Sequence, residues 1–233
     1  MKRLAMLLVM AAAVLVFGAG SAEAARECEG LMVCVPVAGP WVVVPTGGSV
    51  PRPQVEYQLS CPRGYIVGGT DAELSHRAID VNFLGRLGSP VNPGITTARA
   101  GVFVGMYVGA TARGPTFRPH IGCMPATGGG GRVPTSATAF QPGEPTVRHV
   151  RTVRVRPGSA TVVARCAARE RLVGVAHAFG FFMRRPPDAS LVSSLSGTRS
   201  VRGDSVSVRV SGDAELNGVR AVVQVQAVCS RTR

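Results

Sequence analysis

Apolar and polar residues alternate with a period of two through the last third of the chain. Val206-Ser207-Val208-Arg209-Val210 and Val223-Gln224-Val225-Gln226 both follow it, the pattern of strands with one buried face and one in water. The run from Ala100 to Val108 is almost wholly apolar and reads as a more deeply buried strand. Further strand-like runs are Trp41–Val44, Val55–Ser60, Phe117–Cys123, Val150–Val155, Ala160–Arg165 and Ala221–Cys229. Glycine and proline interrupt these runs roughly every 8–12 residues, the rhythm of a β-sandwich. No convincing amphipathic helix follows residue 24. The pattern therefore predicts an all-β fold.

The start of the chain obeys a different rule. Met1-Lys2-Arg3 is positive, Leu4–Phe17 is continuously apolar, and Ala22-Glu23-Ala24 has the small-x-small form of a signal peptidase site. A run of 14 residues is short of the ~20 that span a bilayer. Residues 1–24 are thus expected to be a cleaved signal peptide. The expected product carries no transmembrane anchor and occupies the extracellular or cell-envelope space.

Export into an oxidising compartment makes six cysteines an expected set of three disulfides. Fifteen pairings are open to six cysteines, and spacing favours one of them. Cys61 and Cys123 are 62 apart and Cys166 and Cys229 are 63 apart, leaving Cys28 and Cys34 to close a small loop. The flanks repeat as well. Cys61-Pro-Arg-Gly-Tyr-Ile-Val-Gly68 aligns with Cys166-Ala-Ala-Arg-Glu-Arg-Leu-Val-Gly174 if one residue is inserted. Each opening cysteine ends a strand-like run preceded by a proline turn, at Pro51 and Pro157, and each closing cysteine ends another. Recurrence of this length indicates an internal duplication. The expected organisation is a signal peptide (1–24), an N-terminal segment with a small disulfide loop (25–39), a β-module (40–125), a Gly/Pro-rich linker (126–144) and a second β-module (145–233). Each module is expected to be sandwich-like and closed by its own disulfide.

Charge adds a functional hint. The whole chain has 26 Lys+Arg against 13 Asp+Glu; without residues 1–24 it has 24 arginines, 12 acids and no lysine. Guanidinium stays ionised at any physiological pH and pairs bidentately with carboxylate, phosphate or sulfate. The densest basic stretch, Arg148-His149-Val150-Arg151-Thr152-Val153-Arg154-Val155-Arg156, names Arg148, Arg151, Arg154 and Arg156 as candidate polyanion-binding residues. If Val153 and Val155 face the core, Arg154 and Arg156 share the solvent face. Such a stretch equally suits an edge strand guarded by charge against edge-to-edge pairing.

Residues 40–233 resemble the cysteine-bracketed β-modules of secreted bacterial repeat proteins, on Cys61-Pro62-Arg63-Gly64, Val67-Gly68-Gly69 and the closing Cys123. That resemblance implies an extracellular location and no particular activity. Ile66-Val67-Gly68-Gly69 also resembles the mature start of trypsin-like serine proteases. The likeness stops there: no histidine stands at Gly101–Gly105, and Gly203-Asp204-Ser205 runs on into Val206 without the glycines of an oxyanion hole. Leu172-Val173-Gly174 recurs at the matching place in the second half, so the motif reads as a repeat strand.

The remaining motifs are sparse. Arg202-Gly203-Asp204 spells an attachment tripeptide and also suits a turn. His76, His120, His149 and His177 show no metal-ligand spacing, and neither a metal nor a cofactor is expected. Asp71, Glu73, His76 and Asp80 form the tightest polar cluster, the one place from which a hydrolase could be assembled. The reading favours a non-enzymatic binding or structural protein whose partner is an anionic polysaccharide or other polyanion. A hydrolase with a loop-built site, or an adhesin or inhibitor acting through an exposed loop, is the alternative. No catalytic residue is assigned.

Overall fold

A computed structural model describes residues 26–31, 33–47, 53–85, 99–110, 113–126 and 146–231. The expected signal peptide lies outside the described residues, as does nearly all of the expected linker. The fold is all-β. Thirteen strands are described: β1 (Val35–Ala38), β2 (Trp41–Val43), β3 (Gln54–Ser60), β4 (Tyr65–Leu74), β5 (Ile79–Gly85), β6 (Ala100–Tyr107), β7 (Thr116–Pro125), β8 (Thr146–Val155), β9 (Gly158–Arg165), β10 (Glu170–Phe182), β11 (Leu195–Arg202), β12 (Ser205–Gly212) and β13 (Arg220–Arg231). One short helix, α1 (Ala189–Ser193), joins β10 to β11, and Asp188 caps it by accepting from Leu191 N. That hydrogen bond, with a second from Ser190, holds the Asp188 carboxyl below its ordinary value.

Three sheets form. The largest runs β4–β7–(β1, β2)–β10–β13–β8, with β1 and β2 acting as one strand interrupted at Gly39-Pro40. Two three-stranded sheets, β3–β6–β5 and β9–β12–β11, each cover one part of it. All neighbouring pairs are antiparallel. Residues 35–38 belong to the sheet of the first half, so the boundary expected at 39/40 falls between two strands of that sheet, β1 and β2.

The two halves follow one pairing scheme. In each, the strand before the opening cysteine (β3, β9) takes the edge of a small sheet, and the strand after it (β4, β10) lies in the large sheet against the strand carrying the closing cysteine (β7, β13). The correspondence extends to single residues. Val67 pairs with Cys123 and Leu172 with Cys229, each six residues past its opening cysteine. Each pairing is followed by a bulge before Gly69 or Gly174. The inserted residue expected from the sequence is therefore absent: Gly174 matches Gly69, not Gly68, and both halves carry the same bulge. Gly64 and Arg169, both three residues past the cysteine, share a positive φ (83° and 68°). Glycine adopts that conformation without strain, whereas arginine does so at a cost.

A seam joins the halves in one sheet. Trp41 and Val42 of β2 pair with Phe181 and Gly180 of β10. Since this pairing is antiparallel, the second half runs opposite to the first, and its small sheet lies on the opposite face of the large sheet. The cores agree. Ala178 of β10 belongs to the first core with Val42, Tyr57, Phe103, Phe117 and Ile121, while Phe181 belongs to the second with Val206, Val208, Val210 and Val225. Tyr57 is 3% exposed and has its phenol pushed up to about 12 by burial, with Arg220 opposing. A spectrophotometric titration of the three tyrosines is expected to show one ionising last, near pH 12. Complete ionisation by pH 11 without unfolding would contradict the burial.

The three disulfides are Cys28–Cys34, Cys61–Cys123 and Cys166–Cys229. The two long-range bridges each tie the small sheet of a half to its large-sheet partner. The alternation at Val223–Gln226 does mark a strand, but its polar face is not in water. Gln224 and Gln226 are 2% and 0% exposed. Gln224 accepts from Gln58 N at 2.7 Å and donates to Gln58 O at 3.0 Å; Gln226 donates to Glu56 O at 3.2 Å. These side chains stand where a neighbouring strand would, satisfying the open edge of β3.

Candidate polyanion interface

The four arginines singled out in the sequence are divided by their strand. β8 is an outer strand of the large sheet, paired only with β13 among the described residues. Val155 is buried in the second core and Val153 packs against it, so Arg154 and Arg148 point to the opposite face while Arg151 shares the valine side. Arg154, Arg156 and Arg151 are exposed. Arg148 is committed elsewhere: it pairs with Glu56 and donates to Gln226 Oε1 at 2.8 Å, tying the halves together. The basic stretch thus sends Arg154 and Arg151 to opposite faces, leaves Arg156 exposed just past the strand end and commits Arg148 to Glu56 and Gln226. A charged strand in this position protects a sheet edge.

A second group of arginines escaped the sequence reading. The outward face of β9–β12–β11 follows from its registers. Arg202, Ser205 and Arg165 form one row across the three strands, Ser200, Ser207 and Val163 the next, and Thr198, Arg209 and Thr161 the third. Strand spacing of ~4.8 Å puts Arg165 and Arg202 about 10 Å apart, with Arg209 about 14 Å along β12 from their row. Val206, Val208 and Val210 point inward and are essentially unexposed. The outward positions of the three strands hold no aspartate, glutamate or aromatic residue. Ser200 and Ser207 share a hydrogen bond at 2.8 Å. The signal was half visible, because Ser205-Val206-Ser207-Val208-Arg209 places Arg209 outward by period alone. Its meeting with Arg165 and Arg202 depends on non-local pairing.

The tripeptide Arg202-Gly203-Asp204 lies at the β11–β12 hairpin. Gly203, at φ 53°, takes the first loop position, as a type II′ turn requires. Asp204 Oδ1 accepts from Leu172 N at 3.4 Å and its carbonyl from Cys166 N at 2.9 Å. These bonds fasten the hairpin to the turn after Cys166.

The proposed hydrolase cluster does not converge. Asp71 and Glu73 are on β4, where Asp71 accepts from Arg26 N at 2.6 Å. Glu73 Oε1 lies 2.9 Å from His120 Nε2 and 3.8 Å from Arg118. His76 sits in the following turn, accepting from Ala78 N and meeting the Tyr107 ring edge-on. Asp80 is exposed on β5, in a different sheet.

His120 forms the buried polar centre that sequence reasoning missed. Its Nδ1 is 3.6 Å from Glu27 Oε1, opposite the Glu73 contact. The Nε2–Glu73 approach is close but makes no hydrogen bond. The two carboxylates flank opposite ring nitrogens and cannot share one cation with the imidazole. The group instead clasps the N-terminal segment to β7. There Gly69 and Gly122 let Glu27 O approach so closely that a Cβ on either glycine would stand 2.0 Å from it. His149 Nε2 and Glu170 Oε2 are 2.6 Å apart beside Cys229, whose sulfur is held in a disulfide and offers no thiolate ligand.

The last recess is a cavity of about 380 Å³ between the halves, lined by Val43, Pro45, Gln54, Val175, His177 and Arg199 among others. Burial, and then the nearby Arg199 charge, hold His177 below its ordinary pKa. Its Nδ1 is buried without a partner. The three disulfides fit an oxidising compartment. Among the described residues no helix is long and apolar enough to cross a membrane. No family model, curated protein or solved structure matches this chain.

Proposed function

We propose that this is an exported, non-enzymatic binding protein that associates with an acidic polysaccharide through the outward face of β9–β12–β11. The observation that carries the reading is the trio Arg165, Arg202 and Arg209 on a sheet face whose other outward residues are serines, threonines and Val163, with no acid at any outward strand position. No ion pair engages these three guanidinium groups among the described residues. Guanidinium recognises sulfate and carboxylate bidentately, and the serine and threonine hydroxyls supply donors and acceptors for sugar hydroxyls. Single-stranded nucleic acid is the poorer fit, since stacking platforms are absent from this face. The two tandem halves, read as a duplication, assign binding to the second. In the first, the corresponding outward positions on β6 include Val102 and Val104, which are buried.

Retention on immobilised heparin tests this, with neutral dextran as the control. The chain is expected to bind at low salt and elute as salt screens the contacts. Changing Arg165, Arg202 and Arg209 together to Gln should remove most retention, while the same change at Arg151, Arg154 and Arg156 should leave the larger part. Equal elution of the first triple variant and the parent protein would refute the assignment.

A further inference from the structure

The cavity between the halves presents strand edge as well as side chains. Val175, Ala176 and His177 are consecutive in β10, and all three line it. Successive strand residues point to opposite faces, so a cavity touching three in a row meets the strand from its edge. One edge of β10 is filled by β13 along its whole length. On the other, β2 accompanies β10 only at Gly180 and Phe181. Continuing that register would set Pro45 opposite His177, and proline has no N–H to offer a ladder. Val44 N is engaged on the other side, donating to Pro115 O at 2.8 Å in continuation of the β2–β7 register. Among the described residues, no strand pairs with β10 there from Val175 to Phe179.

The charge beside this edge is positive. Arg199 of β11 reaches over it and donates to Val175 O at 3.4 Å. Glu56, the acid of the cavity wall, is neutralised by Arg148. His177 leaves Nδ1 without a partner. Val43, Pro45 and Phe179 give the recess apolar walls, and its volume of about 380 Å³ lies in the range of small binding sites.

We propose that this recess binds an extended peptide segment bearing an acidic side chain, added as a strand to the β10 edge with its carboxylate at Arg199. Main-chain hydrogen bonding supplies affinity in this mode and side-chain pockets supply selectivity. The site is separate from the arginine face of β9–β12–β11 and does not depend on it.

Titrating the ¹⁵N-labelled protein with acetyl-Val-Thr-Asp-Val-Thr-amide, and with Asn and Lys versions of that peptide, tests the assignment. The Asp peptide should shift the Val175, His177 and Phe179 amides saturably. The Asn and Lys peptides should bind at least tenfold more weakly. Arg199→Gln should abolish this preference and Arg199→Lys should keep it. Each of the following would overturn the proposal: undisturbed β10 amides, equal binding of all three peptides, or the same shifts produced by acetate alone. Shifts confined to the neighbours of Arg165, Arg202 and Arg209 would also reject it, assigning peptide binding to simple charge attraction.

Discussion

Replacing Cys166 and Cys229 together with serine is expected to lower the stability of the protein by about 4 kcal/mol. The bridge closes 63 residues, and chain entropy sets a loss of that order when such a loop opens. It also fastens β9, the edge of a small sheet, to β13, a central strand of the large sheet. A half of this size has a small core and little margin to absorb the loss. Chemical denaturation followed by tryptophan fluorescence and by circular dichroism gives the measurement. Trp41 lies at the seam and reports on both halves, whereas the dichroism follows all strands. A change below 1 kcal/mol would mean that the sheets are held by packing alone. Serine at Cys28 and Cys34, which close only six residues, should cost about half as much.

Phe181→Ala should cost ~3–5 kcal/mol, the usual range for deleting a fully buried aromatic side chain. Phe181 has no exposed surface, belongs to the second core and pairs in register with Trp41 across the seam. The cavity would open between Val206, Val208, Val210 and the large sheet, and rigid β-layers on both sides would limit collapse. Phe179→Ala, at a half-buried position on the same strand, should cost distinctly less. Equal effects would place the packing centre of the second half elsewhere than these contacts do.

What the chain disclosed in advance was local or recurrent. Period-two alternation located β12 and β13, and equal cysteine spacing selected the observed pairing because matching loops recur on matching strands. The seam was illegible: nothing in Trp41-Val42-Val43 specifies β10 rather than any other strand, since open edges accept many partners. The glutamines of β13 misled for a related reason. Alternation separates two faces but cannot say that the polar one meets the edge of another sheet. The arginine-rich run at 148–156 drew attention through its density along the chain. A binding face is defined across strands, though, and Arg165, Arg202 and Arg209 come from three of them. The supposed insertion arose from matching Val67-Gly68 to Val173-Gly174 by letter, whereas the ladders set Val67 with Leu172 and Gly69 with Gly174.

Each long-range sulfur bridge begins and ends within its own half, so the peptide through residues 127–145 is the sole covalent tie between them. Severing it would yield two separately cross-linked fragments. Among the described residues, what would hold them together includes the Trp41–Phe181 ladder, Ala178 in the first core, Val43 against the second, the glutamine contacts to β3 and the Arg148–Glu56 pair. Their association would then depend on concentration, turning an intramolecular fold into a two-component equilibrium.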